Sequence, residues 1–431
     1  GVFSTGNITT TGINAAAFLA QSIGGGGGAA AKSFGTLSRL GASAGNIADA
    51  GAVIVTNRGI LETTGNGSPA LMVQSIAGGG GYIAETNALS SYDVTLAGSN
   101  LSSANAGDVT LTNTANALVT RGSFSPGLVA QSIGGGGGWS LLRSTPNAQL
   151  GSDAGNNLTG GNVTLTNRSS IGSAADFSTA AVIQSVGGGG GVTGNALGNV
   201  TLGASSTQGT LSSGSVSADF TGDVITLGQN SAAMVVQTVA GGGGLGAEVT
   251  GNAVLGMTSA STTVANAGSV SFDGRGALIS TQRIDSLAIV LQSIGGGGGW
   301  VGNVEGNSTL GASHIGSANA GSIDANIDYS LIQTTGENST GLLVQAIGGG
   351  GGFTGSTSGH SLILGSSVSG NSSSGSGDLD LFNNATINTF GKNSAALIAQ
   401  SIGGGGGASA TDDGNLIAIG TVSKTISINN L

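Results

Sequence analysis

The chain has 431 residues with a net charge of −10 and only 7% charged residues, so the charged shell of an ordinary globular enzyme is missing. The 3 Pro exclude collagen, the 38% hydrophobic residues argue against simple disorder, and the absence of Cys excludes disulfides and thiolate metal sites. With only 10 Lys and Arg and a negative net charge, the chain has no basic patch that would indicate a nucleic-acid partner. It also contains no run of 18 apolar residues, so no transmembrane helix is predicted.

Eight copies of a Gln-Ser-Ile motif, each followed by glycines, divide the chain into repeats of about 54 residues. The interval between successive motif glutamines is nearly constant along the whole chain. Such regular spacing predicts a repeat array, and we expect residues 1–431 to form one continuous array that is a segment of a longer protein. The motif glutamines are Gln21, Gln74, Gln131, Gln184, Gln237, Gln292, Gln345 and Gln400.

Within each repeat, short strands are predicted on both sides of a turn. Residues 109–112 and 163–166 alternate apolar and small polar side chains, which is typical of a half-buried strand. A turn rich in Gly, Asn and Ser follows, as in residues 391–394, and a short apolar run then leads into Gln400. We therefore predict an all-β protein, a β-solenoid of eight repeats with two to three coils per repeat. Spaced at ~4.8 Å, roughly 16 to 24 coils would give a body roughly 75 to 115 Å long.

Two further landmarks keep phase with the glutamines. An apolar residue followed by Gly comes after each Gln at a similar distance, as in Leu150-Gly151, with Ala97-Gly98 as the displaced second copy. A Gly-x-Val landmark precedes the next Gln by a nearly fixed number of positions, as Gly161 precedes Gln184. Length varies mainly between the glycine run and this second landmark, so we expect a tolerant loop there.

The glycine runs hold 38 of the 86 Gly and keep a constant length of five small residues. Ordering a Gly costs ~0.5–1 kcal/mol more than ordering an Ala, so a specific structural need must offset that cost. Three explanations are open: close backbone approach, a polyglycine helix with lateral hydrogen bonds, and an anion-binding nest of N–H groups. We favour close packing.

The motif glutamines and the residues that follow the glycine runs are the candidate sites. Stacked amides favour a hydrogen-bonded structural ladder over a row of ligand-binding groups. The residues after the runs are apolar, which indicates either a buried stack or an exposed patch for glycan or surface contact. This apolar column comprises Tyr82, Trp139, Val192, Leu245, Trp300 and Phe353.

No catalytic constellation is visible. Gly-x-Gly-x-x-Gly matches trivially inside any glycine run and is followed by no Rossmann unit. The two histidines, His314 and His360, have no acid or base partner nearby in sequence. We therefore predict that the protein is not an enzyme and has no cofactor and no metal site.

The motif at residues 396–407, Ala-Leu-Ile-Ala-Gln-Ser-Ile-Gly-Gly-Gly-Gly-Gly, resembles the glycine-rich passenger repeats of large autotransporter-type surface proteins of Gram-negative bacteria. The resemblance covers the whole chain through its eight copies. It implies an exported β-solenoid displayed on or released from the cell surface. The C-terminal outer-membrane barrel of such proteins is not in this sequence.

These observations favour a structural extracellular protein that forms a bacterial cell-surface stalk or filament and self-associates end to end or laterally. The alternative is an adhesin that binds a glycan, a surface or partner cells through aromatic or loop positions. Burial of the apolar column would remove the aromatic site from that alternative.

Overall fold

The computed structural model describes residues 1–30, 37–41, 47–84, 93–99, 101–141, 147–152, 155–205, 209–257, 264–311, 316–358, 361–365, 374–412, 415–418 and 425–430. All regular elements in these ranges are β-strands, and the strands pair in parallel to form five sheets. The predicted all-β solenoid is thus confirmed. Within the same ranges, no helix has the length and apolar character needed to cross a membrane.

Successive coils add strands to the same sheets, although only five strands of the described residues form the fifth sheet, and we number the sheets in chain order. Sheet 1 comprises Val2–Ser4, Ile8–Thr10, Val53–Asn57, Leu61–Thr63, Val109–Asn113, Ala117–Thr120, Val163–Asn167, Ser170–Ser173, Val216–Thr221, Val224–Thr226, Val270–Thr281, Ile323–Thr334, Leu379–Asn383, Thr386–Thr389 and Ile426–Asn430. Sheet 2 comprises Phe18–Ile23, Leu71–Ile76, Leu128–Ile133, Ala181–Val186, Met234–Val239, Ile289–Ile294, Leu342–Ile347 and Leu397–Ile402.

The remaining three sheets follow the glycine runs. Sheet 3 comprises Gly27–Ala30, Gly80–Ile83, Gly137–Ser140, Gly190–Thr193, Gly243–Gly246, Gly298–Val301, Gly351–Thr357 and Gly406–Asp412. Sheet 4 comprises Leu37–Leu40, Asp93–Leu96, Ala148–Leu150, Val200–Leu202, Ala253–Leu255, Ser308–Leu310, Ser361–Leu364 and Asn415–Ala418. Sheet 5 comprises Leu101–Asn105, Gly155–Thr159, Thr210–Ser212, Val264–Asn266 and Ser317–Asn319.

One repeat forms one coil, so the expectation of two to three coils per repeat was wrong. Strands pair with their equivalents one full repeat away, as Gln131 pairs with Gln184 and Gly137 with Gly190. One coil uses all of the about 54 residues of a repeat, because the chain also passes through the interior of the molecule in sheets 2 and 3. Eight coils at ~4.8 Å place the first and last strands of sheet 2 about 34 Å apart, far less than the expected length.

Sheet 2 lies inside the molecule, with a separate core on each face. Leu128 and Ala130 pack with Val163 and Leu165 of sheet 1, whereas Val129 faces the second core. The six residues of Leu128–Ile133 are all buried. In sheet 1, by contrast, buried and more exposed residues alternate, because one face meets the core and the other meets solvent.

A buried asparagine lies at the corner of sheet 1 in several coils, although the sheet also divides into two strands where Phe220 holds that register. Asn113 and Asn167 are buried, and Nδ2 of Asn113 donates to Oδ1 of Asn167 at 2.7 Å. Nδ2 of Asn167 also donates to the carbonyl oxygen of Ser169, which separates two short strands. Where Gly274 or Ile327 stands at the same register, the strand continues for 12 residues.

Candidate functional site

The motif glutamines stack in register along sheet 2. Nε2 of Gln21 donates to Oε1 of Gln74 at 2.7 Å, and Nε2 of Gln74 donates to Oε1 of Gln131 at 2.6 Å. At the other end, Nε2 of Gln345 donates to Oε1 of Gln400 at 2.6 Å. The side chains from the second to the seventh coil are fully buried, so these amides face the protein interior and not a ligand.

The direction of the glutamine ladder reverses in the middle of the array. Gln237 donates back to Gln184, so Nε2 of Gln184 and Nε2 of Gln131 are left without partners. Oε1 of Gln237 and Oε1 of Gln292 are likewise without partners. Flipping the carboxamides of Gln184 and Gln237 exchanges their N and O atoms and converts every step into a donor–acceptor pair. Hydrogen bonding therefore favours one uniform direction through all eight residues.

The glutamines also connect sheet 2 to sheet 3. Nε2 of Gln345 donates to the carbonyl oxygen of Gly352 at 3.3 Å, and Nε2 of Gln400 donates to that of Gly407 at 3.3 Å. In both cases the acceptor is the last glycine of the run that follows the glutamine. Each of these two amides thus connects the sheet 2 strand to the sheet 3 strand of its own coil, in addition to the bond between Gln345 and Gln400.

The glycine runs form the turn between the strands of sheets 2 and 3 and stack on one another within the chain. We call this strand–turn–strand unit the hairpin, although its two strands pair with the neighbouring coils and not with each other. A Cβ on Gly137 would lie 1.8 Å from the carbonyl oxygen of Gly190, and one on Gly138 would lie 2.0 Å from that of Gly81. The φ angles of Gly137 and Gly138 are 135° and 130°, a region that residues with a side chain rarely adopt. Close approach of adjacent coils is the reason for glycine here.

The other two explanations for the glycine runs do not fit this geometry. A polyglycine helix repeats one backbone conformation, whereas φ changes from 85° at Gly136 to 135° at Gly137. The N–H groups that an anion would need are already engaged between coils: N–H of Gly136 donates to Ala77 O at 2.7 Å, and N–H of Gly189 donates to Gly134 O at 2.7 Å.

The apolar-Gly landmark of sheet 4 packs against these turns. A Cβ on Gly189 would lie 2.7 Å from Cα of Gly151, so the turn needs glycine at this contact. The displaced second copy is explained by the register, because Leu96 pairs with Leu40 and Leu150. The landmark of the second copy is therefore Leu96-Ala97, and its expected assignment to Ala97-Gly98 was wrong by one residue.

The Gly-x-Val landmark is held by the residue after the ladder glutamine. Oγ of Ser132 donates to the carbonyl oxygen of Gly107 at 2.8 Å and accepts the N–H of Gly161 at 2.8 Å. Ser185 connects Gly161 to Gly214 in the same way. The three sequence landmarks therefore meet in each of these coils, around the hairpin of sheets 2 and 3.

The apolar column lies in register on sheet 3 and is buried, with exposed fractions between 1% and 7%. Its members pack against Val129, Val182 and equivalent residues of sheet 2 in the second core. These side chains do not form an exposed patch, so the aromatic contact site of the adhesin alternative is absent from this face. The buried members are Tyr82, Trp139, Val192, Leu245, Trp300 and Phe353.

Two polar ladders were not predicted from the sequence. Asn57 donates to Asn113, which donates to Asn167, at the corner of sheet 1. The repeated Thr-Asn that ends these strands was the available signal. The second ladder runs through the turn before sheet 2, where the N–H of each serine donates to Oγ of the serine in the next coil: Ser68, Ser125, Ser178, Ser231, Ser286, Ser339 and Ser394.

A carboxylate is buried in that same turn. Asp285 is 2% exposed and accepts hydrogen bonds from Nδ2 of Asn303 and Nδ2 of Asn338, each at 3.1 Å. Burial raises the pKa of the Asp285 carboxyl, although the two amide donors act in the opposite direction. Burial also raises the pKa of Glu248, and the neighbouring charge of Glu305 adds to that effect.

These acids do not form a metal centre. Across the described ranges, no group of three or more His, Cys, Asp or Glu side chains is arranged to hold a metal ion. His314 and His360 lie outside the described residues.

Comparisons of the chain with protein-family models, with curated proteins and with solved structures return no match.

Proposed function

We propose that the protein is a structural element, a rigid β-solenoid that forms part of an extracellular bacterial stalk or filament. The observation that carries the proposal is that each repeat makes one coil whose interior contacts repeat in register. A coil meets its neighbours through the glutamine ladder, the serine ladder and the stacked glycine turns. A further coil can be added without a new kind of interface, which suits an extendable array.

The composition supports the extracellular part of this proposal. The chain has no Cys that oxidation could damage, and only 7% of its residues are charged. The absence of a catalytic role is likewise part of the proposal. Self-association, end to end or laterally, belongs to it as well, since sheet edges offer unpaired backbone groups to a further strand.

Deletion of one repeat tests the structural role. Removing residues 184–236 joins Ile183 to Gln237 and preserves the register of every sheet. We expect a folded protein that is shorter by ~4.8 Å along the coil axis by small-angle X-ray scattering and electron microscopy. The matched control removes residues 184–210, half a repeat, and should lose cooperative unfolding. Equal damage from both deletions would contradict an extendable array.

Cellular location is tested separately. An antibody raised against the purified chain should label intact cells of the source bacterium as strongly as permeabilised cells. Electron microscopy should show the label on stalks or filaments. Labelling that requires permeabilisation would overturn the extracellular role, while the deletion experiment would still report on the array.

A further inference from the structure

A cavity of about 30 Å³ lies in the middle of the array, between sheet 3 and the turn that precedes sheet 2. This volume has room for about two water-sized groups. The small exposed fractions of Val192, Thr179 and Phe124, at 7%, 8% and 7%, show where the cavity approaches the surface. Its walls include Phe124, Trp139, Phe177, Val192, Asn230, Leu245 and Trp300.

The cavity arises from a local change in the repeat. Trp139 and Trp300 occupy the same register of sheet 3, but the two coils between them carry the smaller Val192 and Leu245. Gly194 and Ala247 line the cavity in these two coils, where the preceding coil places Leu141. Two neighbouring coils thus lose volume at two adjacent positions, and the flanking indoles close the cavity at each end.

Three polar atoms in the cavity walls lack hydrogen-bond partners. They are Nε1 of Trp139, Nε1 of Trp300 and Oδ1 of Asn230, in residues that are only 3%, 3% and 6% exposed. Buried polar groups are nearly always paired in folded proteins, so these atoms point to something that binds there. Two donors and one acceptor match hydroxyl groups, which accept and donate. Among the described residues, no charged side chain lines the cavity, so a neutral ligand is favoured.

The rim carries two phenylalanines in a strained backbone conformation. Phe124 and Phe177 have φ of 57° and 58°, and their rings stack with centroids 4.8 Å apart. Bulky residues rarely adopt this left-handed region, and such strain is concentrated at functional sites. Other coils place Asn, Gly or Asp at this turn position: Asn14, Gly67, Asn230, Asp285, Asn338 and Asn393.

We propose that this cavity binds one edge of a neutral sugar ring. A hydroxymethyl group, which has about the size of two water molecules, enters the cavity, where its oxygen accepts from one of the two indole N–H groups and its O–H donates to Oδ1 of Asn230. The apolar C–H face of the ring packs on Phe177 at the rim. An apolar pocket with a few placed polar groups is the usual construction of a small-molecule site. This inference does not depend on the structural role proposed above.

Intrinsic fluorescence tests the proposal directly, because Trp139 and Trp300 are the 2 Trp of the chain and both line the cavity. The full chain is titrated with methyl glucoside, methyl galactoside, methyl mannoside and N-acetylglucosamine. We expect a saturable change in emission with at least one sugar at millimolar concentration, and no change with galacturonate, whose charge the cavity cannot pair.

Two variants separate binding from folding. Phe177→Asn places at this turn the residue found in four other coils, so the fold should be kept while Kd rises tenfold or more. Asn230→Gly keeps the left-handed turn, removes the acceptor and should also raise Kd. Asn393→Gly, in the last turn, is the matched control with an unchanged Kd. The proposal would be overturned if none of the four sugars produced a saturable change in emission, or if Phe177→Asn kept the wild-type Kd. The cavity would then be assigned to ordered water.

Discussion

The interior hairpin of sheets 2 and 3 and the outer sheet 1 are both parallel stacks with the same spacing, yet they tolerate change differently. Every residue of Leu128–Ile133 and Gly137–Ser140 is buried, so each position has a neighbour on both faces. In Val163–Asn167 of sheet 1, buried residues alternate with residues that reach solvent. Stacking alone therefore does not make a position critical, whereas burial on both faces does.

The largest expected effect comes from adding one carbon atom to the interior hairpin. In Gly137→Ala, the new Cβ would clash with the carbonyl oxygen of Gly190, at a φ that alanine disfavours. We expect a loss of ~4 kcal/mol or more in unfolding free energy, or no folded protein. Urea unfolding followed by circular dichroism measures this loss.

The matched control is Gly172→Ala in sheet 1, where a Cβ would meet nothing within 4 Å. It should leave stability unchanged or raise it by up to ~1 kcal/mol, since alanine restricts the unfolded chain. Similar losses in both variants would remove the distinction between the hairpin and the outer sheet.

The second effect concerns the glutamine ladder. Gln184→Ala removes a buried amide that is hydrogen-bonded to Gln237 and leaves a cavity in sheet 2. We expect a loss of about 2–5 kcal/mol in unfolding free energy. Thr164→Ala, at an exposed position of sheet 1, should change stability by ~0.5 kcal/mol or less. If both variants unfold at the same urea concentration, the ladder contributes no stability of its own.

At the turn that leads into sheet 2, we expect a substitution to raise the unfolding free energy, by a smaller amount than the losses described above. Burial raises the pKa of Asp285, so the folded state favours the protonated carboxyl. Stability contributed by this group is therefore lost as the pH rises above the unfolded-state pKa of about 3.9. Asp285→Asn should be more stable than the wild type at neutral pH, with an advantage of ~1 kcal/mol or less.

The pH dependence distinguishes this cause from a general effect of removing a charge. The advantage of Asp285→Asn should vanish below about pH 3.9, where the carboxyl is protonated in both states. Asp378 is exposed, and Asp378→Asn serves as the control: its unfolding free energy should match that of the wild type both at neutral pH and below about pH 3.9. An advantage of Asp285→Asn that persists in acid would show that protonation is not the cause.

The smallest effect is expected on the outer face of sheet 1. Arg168 pairs there with Asp219, and both side chains are substantially exposed. The hydrogen bond to Arg168 lowers the pKa of Asp219. Arg168→Ala should cost ~1 kcal/mol or less at low salt and almost nothing at high salt, as measured by urea midpoints in both conditions. A loss as large as that of Gln184→Ala would place a critical contact outside the hairpin.

Regular spacing made much of this architecture predictable. The phase of Gln131 and Gln184 anticipated their neighbouring positions in one sheet, and the constant length of the glycine runs anticipated an ordered turn. Alternation over residues 163–166 identified a strand with one face in the core. These features repeat locally, so a single sequence displays them.

The coil number was not predictable in the same way, because it depends on which distant residues pair. The sequence around Val129 predicts a strand in either case, whether that strand lies on the surface of a narrow coil or inside a wide one. The asparagine ladder was hidden because Phe220 and Gly274 interrupt its register after Asn167. The left-handed turn at Phe177 was hidden because Asn, Gly or Asp holds that position in most coils, and phenylalanine gives no turn signal.

The pairing of one coil with one repeat also has a mechanical consequence. Hydrogen bonds between coils run along the solenoid axis, so a pull on the two ends loads the interfaces between coils one after another. A single detached coil of about 53 residues releases up to about 180 Å of extended chain, against the ~4.8 Å it occupied when folded. The array would therefore lengthen under tension in large discrete steps, each dissipating the work needed to separate one complete set of ladders.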